Sequence, residues 1–436
     1  MSQESRLQVF KFGGASLHHA DAFRHIAALL RPYAGQPLVL VVSALGKTTN
    51  ALEVVVNAYF HDPEVAFLEL QKVKKLHQQI AAALFADSDP VHDRLHNTFA
   101  EAEWLLEESR KESYDYVYDQ LVAVGELASS QMLARFLEIN HLPALWKDVR
   151  DLIVTDHTFR EANVLWPQTI ERIRNYFSNI SLPPWIVTQG FIAATADNCT
   201  TTLGREGSDY SAAILAHALD AAGVTIWKDV PGVMNADPKL VPQAIPIERL
   251  SFHEALEMSY YGASVIHPKT IKPLQNKNIP LRVRSFTDPA HAGTLISETA
   301  VHALPPVVVL KKNQVLLSVY PRDFSFITEA AMSQIFSLLS QHRMRTNLMQ
   351  QSAMSLSLCT DESPRLEALL QALRQSFAVR ENRHLHLLTV RHYTEPLLEQ
   401  LLKDVTVFVE QKSRHTAQMV LQPPSDWQAL NRIRFQ

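Results

Sequence analysis

Across the first 300 residues of this 436-residue chain, short apolar runs alternate with helical stretches, and no other feature narrows the fold as much. The run PLVLVV at 37–42 has no polar face. Strands of that kind are buried on both sides, as in parallel sheets covered by helices. A strand at 7–12 ends at Gly13-Gly14 and leads into a helical pattern over 20–30. Further strand-like runs fall at 142–146, 152–154, 185–188 and 224–227, with a helix over 208–219 between the last two. From 48 to 139 the chain is almost wholly helical, rich in Ala, Leu, Glu, Gln and Lys. A helix over 251–261 closes on Gly262 in a C-cap position. The expected architecture is α/β, a mainly parallel sheet with helices on both faces.

After residue 293 the order of elements changes. Average usage of ~7% would give about 30 glycines in a chain this long; there are 12, and none lies beyond Gly293. Strands at 307–310 and 315–319, a helix over 327–342, strands at 345–349 and 355–359, a helix over 364–376 and a strand at 378–380 make a βαββαβ module. A weaker echo follows, with a strand at 386–390, a helix over 395–402 and strands at 405–409 and 417–421. The predicted division is a domain over 1–300 with a helical insertion at 48–140, then two α+β modules over 301–382 and 383–436.

Composition removes several function classes. Hydrophobic residues make up 47% and charged residues 20%, an ordinary globular balance. Net charge is −4, with no basic stripe, which argues against nucleic acid as a partner. No run of 18 apolar residues exists to span a membrane. The opening MSQESRLQVFKFGG lacks the pattern of a signal peptide, and two distant cysteines, Cys199 and Cys359, suit a reducing, cytoplasmic location. The 19 histidines show no HExxH pattern, so no dedicated metal site is expected.

Four polar segments hold the candidate chemistry. In KFGGAS at 11–16 two glycines permit positive φ, and consecutive backbone N–H groups can form a concave anion site within reach of Lys11. A plain strand-to-helix turn is the alternative. In SALGKTTN at 43–50 the GKT imitates a phosphate loop, but the required first glycine is Val41. What remains is a polar turn after a buried strand, a usual place for ligand contacts. TTTLGREGSDYS at 200–211 is denser in polar groups than helix capping by Ser208 or Asp209 requires. WKDVPGVMNADPK at 227–239 contains two turns, whose chemistry explains the Gly, Pro and Asp but not the paired lysines.

Taken together and in order, these segments resemble the amino-acid kinase family, and within it the aspartokinases. The family's KFGG(T/S)S is KFGGAS here, VVSAMG..T(T/N) is VVSALGKTTN, and a GE heading a helix is Gly125-Glu126. GFIG.T reads GFIAAT, TTTLGRGGSD(Y/T)(S/T)A reads TTTLGREGSDYSA, (W)TDVPG(V/I)YTTDPR reads WKDVPGVMNADPK, and FGAKVLHP reads YGASVIHP. The likeness covers residues 9 to about 295. The C-terminal modules resemble the paired ACT domains that aspartokinases carry.

The resemblance implies phosphorylation of the side-chain carboxylate of L-aspartate by ATP with Mg²⁺, giving 4-phospho-L-aspartate. This is the first step of lysine, threonine and methionine biosynthesis. It implies catalytic roles for Lys11 and Asp209, and phosphate binding by Gly13, Gly14 and Ser16. It assigns Ser43, Thr49, Glu126, Arg205 and Ser208 to aspartate, with Glu126 facing the α-ammonium and Arg205 a carboxylate. Lys228, Asp229, Met234, Asp237, Lys239 and Ser264 fall to the nucleotide. Feedback by lysine or threonine and a homodimer or larger homo-oligomer are also implied. Three departures stand out: Glu206 replaces a glycine and adds negative charge near the phosphates, Ser264 replaces a lysine, and Met234 replaces an aromatic residue. Lys228, in KDV rather than TDV, is placed to supply the cation missing at Ser264. The alternatives are an amino-acid sensor that no longer turns over and a kinase with another carboxylate substrate.

Overall fold

The computed structural model describes residues 7–107, 112–180, 185–263, 266–299, 304–323 and 325–424, with 427, 430 and 433. The chain divides into two units, one comprising 1–233, 248–256 and 266–301, the other 234–247, 257–265 and 302–436.

The first unit is built on an eight-stranded sheet. Its order is Ala144–Trp146, Trp185–Gln189, Leu38–Val42, Gln8–Phe12, Gly223–Lys228, Leu281–Ser285, Thr294–Ser297 and Arg249–Ser251. Pairing is parallel except between Leu281–Ser285 and Thr294–Ser297. All five residues of Leu38–Val42 are buried, as the unbroken apolar run requires. The pleat of Gln8–Phe12 sends alternate side chains to opposite faces. Phe10 and Phe12 enter a large core with the helices, alongside Leu52, Leu70, Phe99 and Leu121. Lys11 points the other way, to the face covered by the helix Gly207–Ala218.

The helical insertion is four helices, Thr48–His61, Pro63–Leu84, Val91–Glu107 and Tyr114–Ile139. Asp62 accepts from the Val65 amide and Ser113 from the Tyr116 amide, so local caps set two of the starts. The helix Tyr114–Ile139 is buried on nearly every side and carries both Asp119 and Glu126. A smaller sheet joins Val154–Thr155, Ile192–Thr195 and Thr200–Thr202, so the three threonines form a strand rather than a loop. Among the described residues no helix is long and apolar enough to cross a membrane.

The second unit is one six-stranded antiparallel sheet in the order Thr346–Gln351, Leu356–Asp361, Val307–Pro321, Phe377–Arg391, Thr416–Gln422 and Thr406–Lys412. The short strands read from the sequence merge into two 15-residue strands, Val307–Pro321 and Phe377–Arg391, paired along their length. Their ends serve different cores. Val315, Leu317 and Val319 pack with the helices Glu329–Gln341 and Leu366–Ser376. Val308 packs instead with Leu388, Leu397 and Met419. The strand at 307–310 therefore belongs with the later ACT-like half of the sheet, although it precedes the earlier one in the chain. Its pairing with Leu387–Arg391 is the reason.

Candidate active site

Strand order reverses at Gln8–Phe12, which has Leu38–Val42 on one side and Gly223–Lys228 on the other. In open α/β sheets such a switch leaves a crevice at the carboxyl ends of the strands. Lys11, Ser43 and Lys228 all lie at those ends.

The first strand runs into one 3-10 turn, Gly14–Ser16, preceded by Gly13 in an extended conformation (φ −78°). Neither Gly13 nor Gly14 is among the residues with positive φ, which corrects the expected reason for the pair. Close approach is what demands Gly14. A Cβ there would lie 2.7 Å from the Gly46 carbonyl oxygen and 2.8 Å from that of Ala44. The Gly46 amide donates to the Gly14 carbonyl at 3.0 Å, so the turns after the first two strands are laced together. Ser16 is buried and its Oγ has no hydrogen-bond partner among the described residues.

Asp209 lies in the first turn of the helix Gly207–Ala218 and meets two lysines. Lys11 Nζ is 2.7 Å from Oδ1 and Lys228 Nζ is 3.6 Å from Oδ2. Burial pushes the Asp209 carboxyl up, but Lys11 and then Lys228 outweigh it, and the group is held below the usual carboxylate range. At neutral pH the trio carries two positive charges and one negative. It is a fixed cationic centre, suited to a phosphoryl group.

On the other side, Glu126 projects from Tyr114–Ile139 toward the turn after the second strand. Burial pushes its carboxyl up to about 8, against hydrogen bonds involving its own backbone, the Ala44 backbone and the Thr49 side chain. Its Oε2 has no partner among the described residues, and neither does the buried Thr48 Oγ1. A buried carboxyl short of a partner is what an incoming ammonium would satisfy. Gly125 beside it permits the helix to close on this turn, since a Cβ would meet Thr48 Cγ2 at 2.9 Å. The half-buried Ser43 donates its amide to the Phe12 carbonyl at 3.1 Å and accepts from Ser129 Oγ at 2.8 Å.

The segment bearing Arg205 is anchored by a residue the sequence reading missed. Asp119 accepts from the Thr202 amide (2.9 Å), Thr202 Oγ1 (2.7 Å) and the Arg160 amide (2.9 Å). Burial pushes the Asp119 carboxyl up to about 6. Thr201 Oγ1 lies 2.7 Å from Thr155 Oγ1. Thr200 Oγ1 accepts from Arg150 Nη1 at 3.2 Å, so all three threonines have structural partners. Asp119 sits two helical turns before Glu126 on the same helix, and that spacing was the available signal. Arg205 is exposed, and Ser208 is buried where a Cβ on Gly190 would collide with it. Glu206 adopts a left-handed conformation (φ 54°, ψ 29°), and its Oε2 accepts from the His267 amide at 2.9 Å.

The residues assigned to the nucleotide separate. Lys228 joins Asp209, and Asp229 is exposed just after the strand. Met234, Asp237 and Lys239 fall in the second unit. There Met234 bridges to Pro246, and Ala236 and Val241 join the apolar cluster around Leu388. Asp237 organises its own turn, with Oδ1 accepting from the Lys239 amide at 2.9 Å. Ser264 lies outside the described residues. Among the described residues no group of three or more His, Cys, Asp or Glu is arranged to hold a metal ion.

The amino acid kinase family profile matches residues 6–285. Lysine-sensitive aspartokinase 3 of Escherichia coli is 32% identical over 362 residues, 82% of this chain and 79% of that one. Aspartokinase 3, chloroplastic, of Arabidopsis thaliana is 30% identical over 372 residues, 81% of this chain and 64% of that one. The bifunctional aspartokinase/homoserine dehydrogenase 1 of Zea mays is 34% identical over 300 residues, and the match spans 32% of its length. Among solved structures, E. coli aspartokinase III in complex with aspartate and ADP (R-state) superposes with a TM-score of 0.84 at 27% identity, covering 98% of each chain. The same enzyme with lysine and aspartate (T-state) gives a TM-score of 0.81 at 28% identity, again covering 98% of each. Profile, relatives and fold agree, and this chain belongs to the amino acid kinase family, in its aspartokinase group.

Proposed function

We infer that this aspartokinase transfers the γ-phosphoryl of ATP to the side-chain carboxylate of L-aspartate, releasing ADP and 4-phospho-L-aspartate. The observation that carries the reading is the pairing of a buried cationic centre, Lys11–Asp209–Lys228, with a buried carboxyl, Glu126, whose Oε2 has no hydrogen-bond partner among the described residues. One suits a transferring phosphoryl and the other an amino acid's ammonium.

The chemistry asks little of a base. An aspartate side chain has a reference pKa of ~3.9, so the nucleophile is already ionised at neutral pH. One carboxylate oxygen forms the new O–P bond as the bond from γ-phosphorus to the bridging oxygen breaks, and ADP leaves with that electron pair. The barrier lies in bringing two anions into line and spreading the charge of the transferring group. Lys11 and the Gly13–Ser16 turn would hold that group, with Asp209 directing Lys11 and Lys228. Arg205 would take an aspartate carboxylate in a bidentate pair, with Ser43, Thr49 and Ser208 adding hydrogen bonds. Mg²⁺ supplies further charge neutralisation when bound, and its ligands on this reading are phosphate oxygens and water.

We place Asp229, Met234, Asp237, Lys239 and Ser264 on the nucleotide side, and the regulatory effector, lysine or threonine, with the second unit. The relative's lysine complex supports lysine as an effector. A homodimer or larger assembly would use the sheet edges Thr346–Gln351 and Thr406–Lys412, which expose Met349, Val407 and Phe408. A cytoplasmic location fits two free, distant cysteines. The decisive test is coupled ADP release. Aspartate-dependent release is expected from the native chain and should vanish in Lys11→Ala, whereas no release with aspartate overturns the reading.

A further inference from the structure

Glu206 stands where the GRGGSD pattern that this chain resembles has glycine, in a backbone conformation that favours glycine, yet it is a charged residue beside a proposed site for two anions. We infer that Glu206 is a positioning residue for aspartate: its bond to the His267 amide holds the turn that presents Arg205 and keeps its own charge away from substrate. The inference rests on the reading of Arg205 as a carboxylate ligand.

The turn is held from within by short-range bonds. The Gly207 amide donates to the Gly204 carbonyl at 2.9 Å, and the Glu206 carbonyl accepts from the Asp209 amide at 3.0 Å and the Tyr210 amide at 3.2 Å. These bonds tie the turn to its own helix. The Glu206 carboxylate reaches 61 residues along the chain, to His267. That anchor is itself fixed. His267 caps the helix Pro268–Gln275, its Nδ1 accepting from the Lys269 amide at 3.2 Å, and Pro268 stiffens the backbone that follows. A left-handed non-glycine residue persists when its surroundings fix it, and here the side chain itself supplies the fixing contact. Lys269 pairs with Glu161 at 3.6 Å, and the carboxylate of Glu206 lies at a helix start, so its charge meets a favourable backbone dipole. A glycine here would make the conformation easy and leave Arg205 on an untethered corner.

The test is aspartate binding by calorimetry together with steady-state kinetics on the full chain, using Glu206→Ala, Glu206→Gln, Glu206→Gly and Arg205→Ala. Glu206→Ala and Glu206→Gly should each raise the aspartate KM and Kd about fivefold, with kcat within about twofold, the scale of one ordinary net hydrogen bond, since the lost bond reaches aspartate only through the position of Arg205. Glu206→Gln, whose amide oxygen accepts the same bond, should stay within about twofold of the native enzyme. Charge repulsion as the dominant effect would overturn the inference, and it would appear as a lowered aspartate KM in Glu206→Gln and Glu206→Gly alike. Unchanged KM and Kd in Glu206→Ala would overturn it too. Arg205→Ala separates the two layers. If it leaves aspartate binding intact, the assignment of Arg205 fails; if it weakens binding while Glu206→Ala does not, only the positioning role fails. Thermal melting of each variant identifies loss by unfolding.

Discussion

Binding of aspartate should expel a proton from Glu126. Burial pushes this carboxyl from its ordinary 4.5 up to about 8, so at pH 7 roughly nine-tenths of the free enzyme holds it neutral. The substrate's ammonium needs the carboxylate, and pairing would return the pKa to the usual range or below. Aspartate binding at pH 7 should therefore release about 0.9 proton. Apparent affinity should fall about 16-fold from pH 8 to pH 6.5, following the ionised fraction of a group with pKa 8. Stability carries the same signature. A carboxyl whose folded pKa is raised stabilises the fold fully below its unfolded value, and that contribution is lost as pH rises through the folded value. The ligand-free chain should lose about 2 kcal/mol on this account between pH 6 and 8, at ~1.36 kcal/mol per pH unit. Asp119, raised to about 6, acts in a lower window. Calorimetry in buffers of different ionisation enthalpy counts the protons directly. Glu126→Gln should abolish both the release and the pH slope and weaken aspartate binding by roughly 10- to 150-fold, the range for a hydrogen bond to a charged group. No proton release at pH 7, with flat affinity from pH 6.5 to 8.5, would refute the reasoning.

Gly14→Ala sets a Cβ against two backbone carbonyls at 2.7 and 2.8 Å, and should lower stability by about 1–3 kcal/mol with loss of phosphoryl transfer; a native melting temperature and native turnover would contradict it. Lys228→Ala leaves Asp209 with Lys11 alone and should raise the ATP KM sharply, at least tenfold by the scale of a charge-assisted bond of ~1.5–3 kcal/mol. An unchanged ATP KM would end the idea that Lys228 compensates for Ser264. Asp119→Ala strands the buried Thr202 amide and the Arg160 amide. It should cost about 2–6 kcal/mol in denaturant unfolding, at ~1–3 kcal/mol per unpaired group.

Much of the first unit was legible because its signals are local. An apolar run such as 38–42 states its own burial, and the KFGG and TTTLGREGSD segments carry the family likeness within a few residues. Contacts between distant segments stayed hidden. The need for Gly14 arises from the turn thirty residues later, and the partner of Glu206 is the capping residue of another helix. Asp237 shows what a motif leaves out: its place in one implies a nucleotide role, and its side chain also closes the turn it sits in. In the second unit the periodicity located the strand segments but not their joining, since an interruption at Asn313 looks the same in sequence whether the strand ends or bends.

The two long strands Val307–Pro321 and Phe377–Arg391 act as a pair of splints through the second unit. Two domains on a flexible linker could tilt freely and melt separately. Here neither half can slide along the sheet without breaking ladder bonds that the other also needs, so a deformation imposed at one end is delivered to the other through covalent chain. The register breaks between Lys311 and Leu316, where Asn313 is left-handed, and flexing there disturbs the fewest hydrogen bonds. The halves should consequently melt in a single calorimetric transition. Any molecule that stiffens one of them raises the melting temperature of both.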